Sequence, residues 1–282
     1  MIFVKTINDL QKILAAYKSG GTQIGFVPTM GALHQGHISL IQYSRQQNPF
    51  TVSSIFVNPT QFNNTVDYEK YPASLEQDIN LLEAAGCDLL FLPPVTEMYP
   101  AGEPVKVYEL GFIETLLEGK YRPGHFQGVC RIVDKLLAAV DPNNLYLGQK
   151  DYQQCMVIKK MMEQQGYRSH VHICPTVREA DGLAMSSRNL RLNASERNLA
   201  ANIIKTLQFI QTNIEPGSLS TLKEQARKRL TQNGFKVDYA EIANAQNLQI
   251  VHHWNGEEFL VALVAVSIND VRLIDNLVLS NT

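Results

Sequence analysis

The feature that most constrains this chain is a rhythm running from Ile24 to Val177, in which short apolar runs alternate with longer stretches of helical periodicity. "IGFVPT", "FTVSSIFVNP", "CDLLFLPP", "NLYLGQ" and "RSHVHICPTV" read as strands. "HISLIQYSRQQ", "SLEQDINLLEAAG", "GVCRIVDKLLAAVDP" and "DYQQCMVIKKMMEQQG" read as helices. The punctuation agrees. Ser74 stands at an N-cap with Gln77 three residues on, Gly86 terminates that helix, Pro93 and Pro94 end the third strand, and Pro142 stops the third helix. Strands separated by helices predict an α/β fold, a Rossmann-like, doubly wound, mostly parallel sheet with helices on both faces. Such a sheet takes its ligand beyond the carboxyl ends of the strands.

After about Thr176 the pattern changes. "SERNLAANIIKTLQFIQTNI" and "SLSTLKEQARKRLTQNG" read as two helices, and "KVDYAEIANA", "FLVALVAVSIN" and "DVRLIDNLVL" as strands. This predicts a catalytic domain over 1–175 and a smaller α+β domain over 176–282, a division that 282 residues accommodate. A formal net charge of −2 leaves no basic footprint for nucleic acid or an anionic membrane. The longest strongly apolar run, Phe259 to Ile268, is too short to span a bilayer. Cys87, Cys130, Cys155 and Cys174 are scattered, which argues against a zinc site or a disulfide framework and for free thiols in a reducing cytoplasm. The start "MIFVKTINDL" is not a signal peptide.

Chemistry enters at "PTMGALHQGH", Pro28 to His37, where the first strand of the rhythm meets its helix. A strand, a glycine-containing loop and a helix start present backbone N–H groups to an anion. Gly31 and Gly36 permit close backbone approach, and His34 and His37 add directional donors. Neither the usual phosphate loop nor the dinucleotide fingerprint is present. Two histidines at a turn are equally compatible with simple packing, and Met30 with a core position.

The resemblance that resolves this lies in five blocks taken in order: "HQGH", "FVNPTQF" (Phe56 to Phe62), "YRPGHFQGV" (Tyr121 to Val129), "GQKDYQQ" (Gly148 to Gln154) and "PTVREADGLAMSSRN" (Pro175 to Asn189). "HQGH" looks like the His-x-Gly-His signature of the nucleotidylyltransferase superfamily. The full set closely resembles the pantothenate synthetase, or pantoate–β-alanine ligase, family. The blocks cover the first two-thirds of the chain, and the remainder agrees in length. The resemblance implies ATP-dependent joining of pantoate and β-alanine through an enzyme-bound pantoyl adenylate, with Mg²⁺ accompanying ATP and with a homodimeric assembly.

The resemblance also implies roles for particular residues. His34 and His37 would bind phosphate, His37 with the larger share, and Met30 and Gly31 would line the nucleotide site. Gly148, Lys150 and Asp151 would be nucleotide-site residues, with Lys150 neutralising phosphate charge. "AMSSR" looks like the superfamily's mobile Lys-Met-Ser-Lys-Ser loop, with Ala184 and Ser187 where the lysines would stand. Met185, Ser186, Ser187 and Arg188 would contact ATP, Arg188 would carry the loop's charge, and Val177 would meet the adenine through its backbone. Gln61 and Gln154 would hold pantoate, two uncharged amides suiting a small polyol acid. Arg122 and His125 would close over phosphates or β-alanine, and Asp78 would help to place Mg²⁺. Two positions depart from the pattern. Gln127 stands where arginine is common, and Cys130 where a small aliphatic residue is. Another small-molecule nucleotidylyltransferase would keep "HQGH" but would not need both glutamines or the "PTVREADGLAMSSRN" block.

Overall fold

The computed structural model describes residues 1–63, 68–69 and 74–279. Six strands form a parallel sheet: β1 (Ile2–Val4), β2 (Ile24–Thr29), β3 (Phe50–Ile55), β4 (Leu89–Phe91), β5 (Asn144–Gly148) and β6 (His170–Cys174), in the order β1-β4-β3-β2-β5-β6. The five expected strands are all present. β1 is an addition, three residues too short to carry a periodic signal. The connections run outward in one direction from β2 through β3 and β4, and in the other through β5 and β6. The order therefore reverses between β2 and β5, and the carboxyl ends of those two strands frame a crevice.

Alternate residues on the strands serve different cores, which is why the strands read as unbroken apolar runs. Phe26, Leu89, Phe91, Leu145 and Leu147 pack on one face with α1 (Ile7–Ser19), α4 (His125–Val140) and α5 (Tyr152–Gln165). Val27, Leu90 and Tyr146 pack on the other with α2 (Gln35–Gln47) and α3 (Leu75–Ala84). At α3 the serine works differently from expectation. Ser74 occupies the N-cap, but its hydroxyl donates to Asp78 Oδ1 at 3.1 Å and accepts no helix N–H.

The second half forms a three-stranded antiparallel sheet, β7 (Lys236–Asn244), β8 (Leu260–Ile268) and β9 (Val271–Leu279), with β8 in the middle. Its helices are α6 (Asn202–Asn213) and α7 (Ser220–Gln232). The long helix expected from Ser195 is broken at Ala201 into Ala194–Ala200 and α6. The apolar run in β8 now has a cause. Leu260, Ala262, Val264 and Val266 face the core shared with α6 and α7, while Val261, Leu263 and Ala265 join the core of the parallel-sheet domain. The small sheet is thus covered on both sides, and the second half of the chain is packed firmly against the first.

Candidate active site

The crevice begins where β2 ends. Gly31 and Ala32 both take positive φ, +83° and +49°, a turn that alanine adopts only under constraint. Asp78 supplies the constraint. Its buried carboxylate accepts from Ala32 N–H at 2.8 Å and Leu33 N–H at 2.7 Å. Both oxygens are engaged, one of them also by Ser74, and Asp78 does not line the crevice. The expectation that it places Mg²⁺ is therefore corrected: Asp78 is the peg on which the loop before the histidines hangs.

His34 is the N-cap of α2. Its Nδ1 accepts from Gly36 N–H at 3.1 Å, and His37 Nδ1 accepts from His34 N–H at 3.3 Å, a reciprocal box built from two imidazoles. A side chain on residue 36 would meet the His34 ring at 2.9 Å, so the glycine between the histidines is what lets the first ring fold back over the helix start. A nitrogen that accepts an N–H carries no proton. Both neutral rings therefore hold their hydrogen on Nε2, the atom left for the crevice. The charged form is disfavoured in both. Burial, then Lys150, takes His34 down to about 4. Burial, then His34 and Lys150, takes His37 well below the usual value for imidazole. Near neutral pH this is a pair of uncharged N–H donors.

Across the switch point β5 runs into a single 3₁₀ turn, Gln149–Asp151, which brings Lys150 and Asp151 to the crevice wall with Lys150 Nζ 3.6 Å from Asp151 Oδ1. On the β3 side the turn Pro59–Gln61 presents the Gln61 side chain. Asn58 fixes that turn. Its Nδ2 donates to Gln61 Oε1 and Gly128 O, both at 3.0 Å, and its Oδ1 accepts from Tyr99 Oη at 2.8 Å. Gln61 Nε2 in turn rests 2.9 Å from Met30 sulfur. His125 supports the same turn from behind. Its Nδ1 donates to Gln61 O at 2.8 Å and its Nε2 faces Arg122 at 3.2 Å, and burial with Arg122 lowers its pKa to about 4.

The fourth wall comes from the segment after β6. Val177 O accepts Met185 N–H at 3.0 Å and Arg178 bridges to Ala184, giving a narrow hairpin whose end carries Ser186, Ser187 and Arg188. Ser186 Oγ caps the following turn by accepting Arg188 N–H at 3.2 Å.

These walls enclose a chamber of about 210 Å³. Met30, His34, His37, Gln61, Gly148, Lys150, Asp151, Gln154, Val177, Met185, Ser186, Ser187 and Arg188 all line it. Gly31 lies behind it as a backbone hinge. Arg122 lies in an adjoining chamber of about 450 Å³, which shares Lys150, Asp151, Ser186 and Arg188 with the first and adds Arg191 and Arg272. His125 opens only on a narrow channel of about 30 Å³ beside Gln154. Gln127, one of the two departures, lies outside both chambers and pairs with the backbone of Tyr108 at 3.0 and 2.8 Å.

Sequence reasoning misses several residues at the site. Thr176 lines the inner chamber, and its buried hydroxyl has no hydrogen-bond partner among the described residues. Asn58 is visible only as part of an Asn-Pro turn. Glu118 binds Arg272 through two hydrogen bonds of 2.7 Å and lies 3.9 Å from Arg122. Asp275 binds Arg178 at 2.7 and 3.1 Å. Nothing in their local sequence separates these from ordinary surface charges. Among the described residues no group of three or more His, Cys, Asp or Glu side chains could hold a metal ion, and no helix is long and apolar enough to cross a membrane.

Comparison with known proteins agrees over the whole chain. The family model described as Pantoate-beta-alanine ligase matches residues 2–278. Pantothenate synthetase of Acetivibrio thermocellus is 47% identical over 283 residues, 99% of each chain, and that of Cytophaga hutchinsonii 43% over 282 residues, again 99% of each. The crystal structure of pantothenate synthetase from Thermus thermophilus superposes with a TM-score of 0.89 at 40% identity, covering 98% of this chain and 99% of that one. Pantoate-beta-alanine ligase from Francisella tularensis, complexed with beta-gamma ATP and beta-alanine, gives 0.84 at 38% identity, covering 99% and 97%.

Proposed function

The chain belongs to the pantoate-beta-alanine ligase family, and we propose that the two chambers carry out its reaction, the ATP-dependent condensation of pantoate with β-alanine, in two steps. In the first step the pantoate carboxylate attacks the α-phosphorus of ATP, forming the mixed anhydride and expelling pyrophosphate. In the second the β-alanine amine attacks the acyl carbon, forming the amide and expelling AMP. The observation that carries this reading is the convergence on one enclosed space of the His34–His37 pair, Lys150, Ser186 to Arg188, and the amides Gln61 and Gln154.

The first step moves negative charge onto the phosphoryl oxygens. Two Nε2–H donors whose rings are already locked by the helix start meet that charge without reorganising. Lys150 and Arg188 neutralise it. His34 and His37 are neutral near pH 7, so they act as hydrogen-bond donors and transfer no proton. Gln61, held by Asn58, and Gln154 receive the hydroxyls and carboxylate of pantoate. The adenylate hydrolyses if water reaches it, and an enclosed chamber protects it until the amine arrives. Mg²⁺ enters as part of the Mg–ATP substrate, since the donor set offers no carboxylate cluster of its own among the described residues. We place the enzyme in the cytoplasm, where four buried thiols stay reduced, as a homodimer whose residues 1–175 carry substrate and whose residues 176–282 cover the nucleotide.

The test is pyrophosphate release from Mg–ATP with pantoate, with and without β-alanine, and with products identified by mass. Pantoate-dependent pyrophosphate without β-alanine, then AMP and pantothenate on adding it, is expected. Pyrophosphate release that ignores pantoate would overturn the assignment.

A further inference from the structure

Lys150 reaches the chamber from a single turn whose start receives no side-chain cap, so something else must fix where its long, flexible side chain begins. That contact comes from the other end of the sequence. The Asn276 amide, on β9 and 2% exposed, spends all its hydrogen-bonding capacity on this turn. Its Nδ2 donates to Gln149 O at 3.0 Å and Lys150 O at 2.8 Å, and its Oδ1 accepts from Gln149 Nε2 at 3.3 Å. The Asn276 backbone is itself held. Its N–H donates to Asp275 Oδ1 at 2.8 Å, and its carbonyl accepts from Arg178 at 3.3 Å. Arg178 begins the hairpin that carries Ser186 to Arg188.

We propose that Asn276 is a positioning residue for adenylate formation, setting the place of Lys150 through the carbonyls of its turn and, with Asp275, fixing Lys150 relative to the Ser186–Arg188 hairpin. The C-terminal sheet is then the common mount of the two segments that grip phosphate. The inference rests on the reading of Lys150 as the phosphate cation. An amide suits the task because it donates twice and accepts once within one plane. A displacement near 1 Å at a transferring phosphate lowers the rate on the order of 10²-fold, so a mount that is itself remote from the substrates still controls turnover.

The experiment is a double-mutant cycle on pantoate-dependent pyrophosphate release without β-alanine, using the full-length protein, Asn276→Ala, Lys150→Ala and the pair. Asn276→Ala is expected to lower this rate on the order of 10²-fold, with the β-alanine KM of the complete reaction unchanged. In the Lys150→Ala background the same change is expected to add less than about twofold, since its effect passes through Lys150. A full multiplicative loss in that background overturns the proposal, as does a wild-type rate for Asn276→Ala beside an impaired Lys150→Ala. A wild-type rate for Lys150→Ala instead removes the reading of Lys150, and the proposal with it. Should Asn276→Ala not fold, Asn276→Ser, which keeps one donor, enters the same cycle with the same criteria.

Discussion

Asp78 separates two accounts of the same carboxylate. As a metal ligand it would matter to Mg²⁺ and little to folding. As the peg of the Gly31–Leu33 loop it matters to folding first. Asp78→Ala removes two charge-assisted hydrogen bonds, at 2.8 and 2.7 Å, and leaves the Ala32 and Leu33 N–H groups buried without a partner. Each such bond contributes about 1.5–3 kcal/mol, so the loss is about 3–5 kcal/mol and lowers the melting temperature by about 10 °C. Asp78→Asn keeps one acceptor oxygen and turns an NH₂ toward the other backbone donor, so it falls between wild type and alanine. The assays are thermal unfolding followed by far-UV circular dichroism, and the Mg²⁺ concentration giving half-maximal pyrophosphate release in the surviving folded fraction. The structure requires a large melting shift and an unmoved Mg²⁺ midpoint. A melting shift below about 2 °C together with a Mg²⁺ midpoint raised about tenfold would refute the reasoning.

Other expectations follow from the same geometry. His37→Gln removes a fixed Nε2–H donor and should lower pantoate-dependent pyrophosphate release about 10²–10³-fold while the ATP KM moves little. His34 and His125 have folded pKa values of about 4, and His37 lies well below its usual value. The unfolded chain thus binds more protons than the folded one between about 4 and 6.5. Stability is then complete above about 6.5 and falls as the pH drops toward 4, and urea midpoints measured across that range should show it, with a shallower decline in His34→Gln. Gly128 faces the backbone of the Gln61 turn so closely that an added Cβ would stand 2.2 Å from Thr60 O. Gly128→Ala should push that turn, raise the pantoate KM and destabilise the fold by about 1–3 kcal/mol in denaturant titrations. Gln127→Ala should leave all three substrate KM values unchanged and lower stability by about 1–2 kcal/mol, since its contacts are with Tyr108 and Glu114 and not with either chamber.

The sequence makes visible whatever acts through its own local pattern. The five strands and the helices between them are legible because each strand is buried on both faces and each helix on one. The phosphate-facing residues are legible because "HQGH" and "AMSSR" carry side chains that meet the ligand directly. Asp78 misleads for the opposite reason. Its chemistry lies in two backbone donors 45 and 46 residues away, and an aspartate in the first turn of α3 looks the same in sequence whether it holds a loop, a metal or water. His125 is half-legible: its block predicts its presence at the site, but a ring that props Gln61 from behind and one that touches substrate have the same neighbours in sequence. Asn276 is the extreme case. Its partners are main-chain carbonyls, which every residue has, and a gap of 126 or 127 residues separates it from them. Direct contacts to substrate are written in residue types, and the geometry that makes those contacts work is written in which backbones the fold brings together. The chemistry of a site of this kind is therefore readable well before its rigidity is.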